Sequence, residues 1–159
     1  MKLRAKGLRA LAWSAALLAC MVLPCRAIAA DGQFLDPDVA FPLVGVVRGP
    51  STIELRFDIA PGYYLYRRAF AFSASGATLG KPRIPPGQAK FDETFGKTLQ
   101  THRGSLRIEL PLTHVDGPFK LSVVSQGCAD AGLCYPPMTR SVAIDPQLLR
   151  SSGVALKFN

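Results

Sequence analysis

Thr52-Ile53-Glu54-Leu55-Arg56-Phe57-Asp58-Ile59 places an apolar residue at every second position, with Ile53, Leu55, Phe57 and Ile59 set against Thr52, Glu54, Arg56 and Asp58. A period of two puts the apolar side chains on one face and the polar ones on the other, which predicts a strand with one buried face. Pro61-Gly62 supplies a turn after it. The same rhythm continues outward. Residues 63–74 are rich in aromatics, with Arg67 and Arg68 in the middle, and read as one long strand or as two broken by a bend. Leu106, Ile108, Leu110 and Leu112 alternate with Arg107, Glu109 and Pro111 after the turn signal Arg103-Gly104. Asp116-Gly117-Pro118 predicts a further turn, with strands at 119–125 and 139–144 beyond it. Short strands, frequent turn signals and no convincing internal helix predict an all-β protein, an immunoglobulin-like antiparallel β-sandwich; a small barrel is the alternative that the spacing leaves open.

The N-terminus has a different pattern. Lys2, Arg4, Lys6 and Arg9 precede an apolar run over 10–23 and a small-residue site, Ala27-Ile28-Ala29. A basic start, a short apolar stretch and an A-x-A site predict a secretory signal peptide over 1–29, cleaved after Ala29 or Ala30. The run is too short for a membrane anchor, which needs roughly 20 apolar residues, and Pro24 would interrupt a retained helix. Leu17-Leu18-Ala19-Cys20 offers a competing reading as a lipoprotein box with Cys20 lipidated, against which stand the poor fit of Leu18 and the apolar residues running on to Leu23. Either way, Cys20 and Cys25 take no part in the redox chemistry of the folded domain.

The leader also carries much of the charge. Of the 19 basic residues, Lys2, Arg4, Lys6, Arg9 and Arg26 lie in it, whereas none of the 11 acidic residues do, so the balance falls from +8 to +3. No clustered basic face remains of the kind that binds nucleic acid. About 130 residues are left, enough for one domain, expected over 30–145 with a peripheral tail over 146–159. No second apolar run is long enough to span a bilayer, so a soluble domain in an exported, oxidising compartment is expected.

Two stretches interrupt the strands. Residues 80–104 form a long connection containing Pro82, Pro85, Pro86 and Asp92-Glu93, and a connection of that length usually has a function. The other is the loop holding Cys128 and Cys134, where Gly127 and Gly132 allow the chain to turn back far enough for the sulfurs to meet. So short a closed loop stabilises a fold by only about 2.4 kcal/mol in the chain-entropy description, near the low end of the usual range. Stapling is therefore a weak explanation, and thiol-disulfide exchange is the stronger candidate. Two other readings stay open: a local structural disulfide, and a cuprous site built from both thiolates with Met138 or a histidine. His102 and His114 have no ligand-like spacing and are expected at exposed loops or strand ends.

Tyr63-Tyr64-Leu65-Tyr66-Arg67, then Asp92-Glu93 with Phe95-Gly96-Lys97, then the block from Gln126 through Cys128 and Cys134 to Pro137 closely resemble the N-terminal periplasmic domain of the thiol:disulfide interchange protein DsbD. The resemblance covers 34–144. It implies an immunoglobulin-like domain acting as a thiol-disulfide oxidoreductase without a cofactor, with Cys128 and Cys134 as the redox pair. In the family the second cysteine forms the mixed disulfide with partners; here that is Cys134, with Cys128 resolving it. Asp92, Glu93, Thr94, Phe95 and Gly96 would form a cap loop over the disulfide. Tyr64 and Tyr66 would line the site. Asp92, Glu93 and Asp130 would place negative charge near the sulfurs and raise their pKa. The implied partners are a thioredoxin-like donor domain or membrane thiol transporter on one side. On the other are a periplasmic disulfide isomerase and thioredoxin-like proteins of cytochrome c maturation. A monomer in the periplasm of a Gram-negative bacterium is expected. An extracytoplasmic binding module with a structural disulfide and no turnover is the alternative.

Two departures qualify the resemblance. The family's cap commonly reads Asp-Glu-Phe-Tyr-Gly with its phenylalanine as the shield, whereas here Thr94 stands at that position and Phe95 follows. Phe95 takes over the shielding, or the cap leaks. The sequence also stops at Asn159 without a membrane domain, so either a stand-alone domain meeting its donor by diffusion or a fragment is expected.

Overall fold

The computed structural model describes residues 34–93 and 95–159; the expected signal peptide, Cys20 and Cys25 lie outside them. The first element among the described residues is one helical turn, Pro37–Ala40 (α1). The chain then runs through strands Leu43–Gly49 (β1), Thr52–Ile59 (β2), Tyr63–Tyr66 (β3), Ala71–Leu79 (β4), Gln88–Asp92 (β5), Lys97–His102 (β6), Gly104–Ser125 (β7), Gly127–Ala129 (β8), Met138–Ile144 (β9) and Ala155–Lys157 (β10). The larger sheet has the order β10-β1-β2-β7-β4, with β9 also on β7; the smaller has the order β5-β6-β3-β8. Every pairing is antiparallel. The predicted immunoglobulin-like, all-β architecture is therefore the observed one.

The alternation in β2 does what its period requires: Ile53, Leu55, Phe57 and Ile59 are all buried in the main core. Leu106, Ile108, Leu110 and Leu112 join them from the paired half of β7, and Tyr63 and Leu65 reach the same core from the smaller sheet. Residues 63–74 do break, at the 3-10 turn Arg67–Ala69, and the break sends β3 and β4 into different sheets.

Three expectations need correction. Asp116-Gly117-Pro118 does not reverse the chain, because β7 runs through it as one strand of 22 residues. Between the pairs Ser75↔Lys120 and Ala77↔Val115, β7 carries extra residues, so the turn signal marks a bulge. Gly76 sits opposite at φ +95, and a Cβ there would stand 3.1 Å from the Pro118 carbonyl oxygen. Secondly, residues 80–104 contain a hairpin, β5 and β6, with Asp92 paired to Lys97 at its end. Its first strand inverts the usual pattern, since Phe91 is exposed and Asp92 buried. Alternation of apolar residues could not reveal it.

The tail is the third correction. It is not peripheral: Leu149, Leu156 and Phe158 are buried in the main core. Strand β10 pairs with β1 through Val44↔Lys157, Gly45↔Leu156 and Val46↔Ala155. Asn159 exchanges backbone hydrogen bonds with Ser141 of β9 at 2.8 and 3.1 Å. The tail thus bridges β1 to β9 and covers one side of the core. Leu156→Ala should cost about 2–4 kcal/mol in urea unfolding, whereas Val44→Ala, at a side chain 42% exposed, should stay within about 0.5 kcal/mol. Equal costs would show that the tail does not hold the core.

Candidate redox site

Strand β3 is buried along its whole length, although successive side chains of a strand point to opposite faces. Tyr63 and Leu65 belong to the main core, while Tyr64 and Tyr66 form a second buried cluster with Leu99 and Cys128. The site is thus built on the back of a core strand. Register completes it: β8 places Cys128 directly opposite Tyr64, and Gly127 opposite Leu65. A Cβ at Gly127 would lie 2.3 Å from the Tyr64 carbonyl oxygen and 2.8 Å from the Phe41 ring, so only glycine lets β8 approach this closely.

Cys128 and Cys134 are joined by a disulfide, with their Cα atoms 4.0 Å apart. The cause is the backbone. Ala129 N–H donates to the Leu133 carbonyl at 2.7 Å and Tyr135 N–H to the Gly127 carbonyl at 3.0 Å, which makes the two cysteines a narrow, non-hydrogen-bonded antiparallel pair. The two cysteines differ in environment. Cys128 is fully buried, whereas Cys134 is exposed to solvent.

Cys134 is nevertheless held firmly by its neighbour. The Tyr135 ring is buried edge-on against Phe41, with centroids 5.5 Å apart, and its hydroxyl donates to the Leu35 carbonyl at 2.6 Å. Leu35 N–H in turn donates to the Tyr63 hydroxyl at 2.9 Å. These contacts tie the start of the described chain to β3 and to the cysteine loop.

Tyr66 connects the buried sulfur to the hairpin. Its hydroxyl donates to Asp92 and lies 3.4 Å from Cys128 Sγ. Burial first, and then the bond to Asp92, push the phenol well above its ordinary pKa, so it keeps its proton. Asp92 is buried and also accepts the Phe95 N–H at 3.0 Å. The Phe95 ring stands edge-on to Tyr66 at 6.1 Å, and the Arg68 guanidinium lies 4.3 Å from its centroid. Gly96, at φ +61, turns the chain back into β6.

The remaining expected site residues separate. Glu93 is exposed. Thr94 lies outside the described residues. Asp130 is gripped by both arms of Arg103, at 2.6 and 2.7 Å, and this hydrogen-bonded guanidinium holds its carboxyl below the usual range. Arg103 and Lys90 both stand over the Tyr64 ring, at 5.1 and 4.9 Å from its centroid. Arg68, Lys90 and Arg103 had no expected role at the site, and Gly127 was expected only to let the loop turn back, not to admit β8 against β3. Only Gly127, next to a cysteine in a strand, gave a signal that could have been used.

The histidines divide. His114 is exposed beside Asp116, as expected. His102 is a correction: it is buried opposite Leu65 and packs near Phe70. The cuprous reading took Met138 or a histidine as the further ligand; of these, His102 pairs with the core-facing residue of β3, and the two sulfurs are bonded to each other.

The sequence matches the family described as "Thiol:disulfide interchange protein DsbD, N-terminal" over residues 31–146. It is 43% identical over 131 residues to the thiol:disulfide interchange protein DsbD of Ralstonia nicotianae, covering 81% of this chain and 21% of that protein. With the Pectobacterium atrosepticum protein of the same name it shares 40% over 116 residues, 73% of this chain and 20% of the relative. The chain thus spans about a fifth of the length of these relatives. Among solved structures it resembles the Neisseria meningitidis DsbD N-terminal domain in the reduced form, at 30% identity and a TM-score of 0.66, covering 77% of this chain and 93% of that one. It also resembles that domain in a complex with the PilB N-terminal domain, at 31% identity and a TM-score of 0.61, covering 77% and 92%.

Two outcomes follow from the geometry. Gly127→Ala should lower the stability of the oxidised protein by at least about 2 kcal/mol in urea unfolding; a loss below about 0.5 kcal/mol would show that β8 can move away. His102 gives a pH dependence. Burial, and then the charge of Arg67, lower its pKa from an ordinary 6.5. The unfolded chain then binds a proton that the folded chain resists, so stability falls as pH drops below 6.5 and levels off below the folded value. In urea unfolding across that window, His102→Leu should remove this slope; an unchanged slope would assign it to other groups.

Proposed function

We propose a reading that starts from one fact: this chain belongs to the family of N-terminal domains of the thiol:disulfide interchange protein DsbD. On this reading the domain exchanges its Cys128–Cys134 disulfide with partner proteins in the periplasm. It accepts electrons from a thioredoxin-like donor or a membrane thiol relay and reduces oxidised periplasmic proteins. The observation that carries the proposal is the asymmetry of the pair, an exposed residue at Cys134 and a fully buried one at Cys128.

In the reductive direction, the Cys134 thiolate attacks one sulfur of the partner's disulfide and expels the other as a thiolate, leaving a mixed disulfide. Cys128, deprotonated, then attacks Cys134 Sγ. This re-forms the internal bond and releases the partner's second thiolate, so two electrons leave the domain. Taking electrons from a donor runs the same steps backwards, with the donor thiolate attacking at Cys134.

The surroundings support this division of labour. The Tyr66 proton is committed to Asp92, so what its oxygen offers a reduced Cys128 is an acceptor for the S–H. Such a bond, burial and the carboxylate behind Tyr66 all favour the neutral thiol at Cys128. Cys134, in solvent, is the easier sulfur to ionise and to reach. Asp130 adds little repulsion, because Arg103 neutralises it. Phe95 serves as the cap aromatic in this chain, seated on Tyr66. Residues 1–29 are proposed as the signal peptide that exports the domain. The resemblance to a domain solved in a complex with the PilB N-terminal domain supports a protein partner.

Trapping tests the reading. Reduced Cys128→Ala, mixed with an oxidised thioredoxin-like partner, should accumulate a mixed disulfide through Cys134, whereas Cys134→Ala should accumulate none. Failure of Cys128→Ala to trap any partner, with a pair that resists reduction, would leave a binding module with a structural disulfide.

A further inference from the structure

Between the two cysteines the chain makes hydrogen bonds of two kinds. Ala129 N–H to the Leu133 carbonyl, at 2.7 Å, and Gly132 N–H to the Ala129 carbonyl, at 3.0 Å, close the loop on itself. Leu133 packs on the main core. Among the described residues, the hydrogen bonds that tie 130–133 to other parts of the protein are all made by Asp130. Its N–H donates to the Gly62 carbonyl at 2.8 Å, and its two carboxylate oxygens accept one bond from each terminal nitrogen of Arg103, at 2.6 and 2.7 Å.

Arg103 has a fixed base from which to hold the loop. It is the single residue between β6 and β7, and the chain is paired on either side of it, His102 to Leu65 of β3 and Gly104 to Ile59 of β2. Its guanidinium also donates to the Tyr63 carbonyl at 3.4 Å and stands over the Tyr64 ring. Most surface ion pairs contribute little, because two long side chains must be ordered to form them. Here strand pairing fixes one backbone, the bond to Gly62 fixes the other, and the contact is the two-bond fork that makes arginine–carboxylate pairs strong. None of these contacts involves a sulfur, so none requires the disulfide.

From this geometry we infer that Arg103 is a positioning residue of the redox pair. By gripping Asp130 it holds the loop in the conformation of the disulfide when Cys128 and Cys134 are thiols, and so makes the pair a stronger reductant. The cause is entropic: a dithiol on a loose loop must order that loop to close the bond, and one already ordered need not. Linkage makes the effect reciprocal, since whatever the disulfide adds to the grip, the grip adds to the disulfide. The inference rests on the exchange reading above, and Arg103 acts only through Asp130.

Equilibration with a thiol and its disulfide, either glutathione or the stronger reductant dithiothreitol, tests it. The reagent's thiols supply two electrons and two protons, the Cys128–Cys134 bond breaks to two thiols, and one disulfide bond forms in the reagent. Alkylation and mass measurement count the reduced fraction, which gives the equilibrium constant for forming the Cys128–Cys134 bond. Arg103→Met and Asp130→Ala should each lower that constant about three- to five-fold, a rise of about 15–20 mV in reduction potential. The double variant should fall no further than either single one, and Arg103→Lys, which keeps the charge without the fork, should lose most of the same factor. A charge acting on the thiols through space would behave differently, because losing the cation disfavours thiolate and raises the constant, whereas losing the carboxylate lowers it. Shifts of opposite sign, additive losses in the double variant, or a wild-type constant in any single variant overturn the inference and leave the exchange reading standing. A folded wild type whose disulfide neither reagent reduces overturns both.

Discussion

Four consecutive side chains, Tyr63 to Tyr66, are buried on a strand whose successive residues face opposite ways, and that can happen only if both faces of the strand are covered. The sandwich core covers one, through Tyr63 and Leu65. A single two-sheet core cannot cover the other, so the β5–β6 hairpin and the cysteine strand β8 do so, sealing Tyr64 and Tyr66. This double burial places a disulfide, a carboxylate and two phenols on a rigid support, where their separations are set by strand register. It also explains the close approach at Gly127, since β8 must lie against β3 near enough for Cys128 to sit opposite Tyr64.

Much of this was legible in the sequence. The core strands were, because β2 and the first half of β7 keep strict alternation and bury what it predicts. The cysteine pair and the tyrosines were legible through a specific motif. What escaped did so for physical reasons. Strand β5 turns a phenylalanine outward and an aspartate inward, because its inner face serves a polar network rather than the main core. Asp116-Gly117-Pro118 carries the composition of a turn, but a bulge in a long bent strand requires much the same residues. The tail is short, and only its pairing with β1 and Ser141 gives Leu156 and Phe158 a core to enter. His102 is one polar residue on a buried face, a position that periodicity cannot distinguish from an exposed strand end.

The electrostatics of the site also differ from what its acidic residues suggest. Asp92, Glu93 and Asp130 were expected to act together on the sulfurs. In the folded protein Asp130 is neutralised by Arg103, Glu93 faces solvent, and Asp92 lies behind Tyr66. Two aromatic faces around the site carry cations instead, with Arg68 on Phe95 and Lys90 with Arg103 on Tyr64. Negative charge thus lies behind the buried sulfur, and cations stand over the rings around the site. On the proposed reading the chemistry depends on one difference, that Cys134 is exposed and Cys128 is buried.

That difference can be measured without any partner. The fully reduced protein is pulsed with a small amount of iodoacetamide at neutral pH, and the label on each cysteine is located by peptide mass. The account predicts that early label lies almost entirely on Cys134, and that urea removes the disparity. Equal labelling of the two cysteines in the folded protein, or preferential labelling of Cys128, would contradict it.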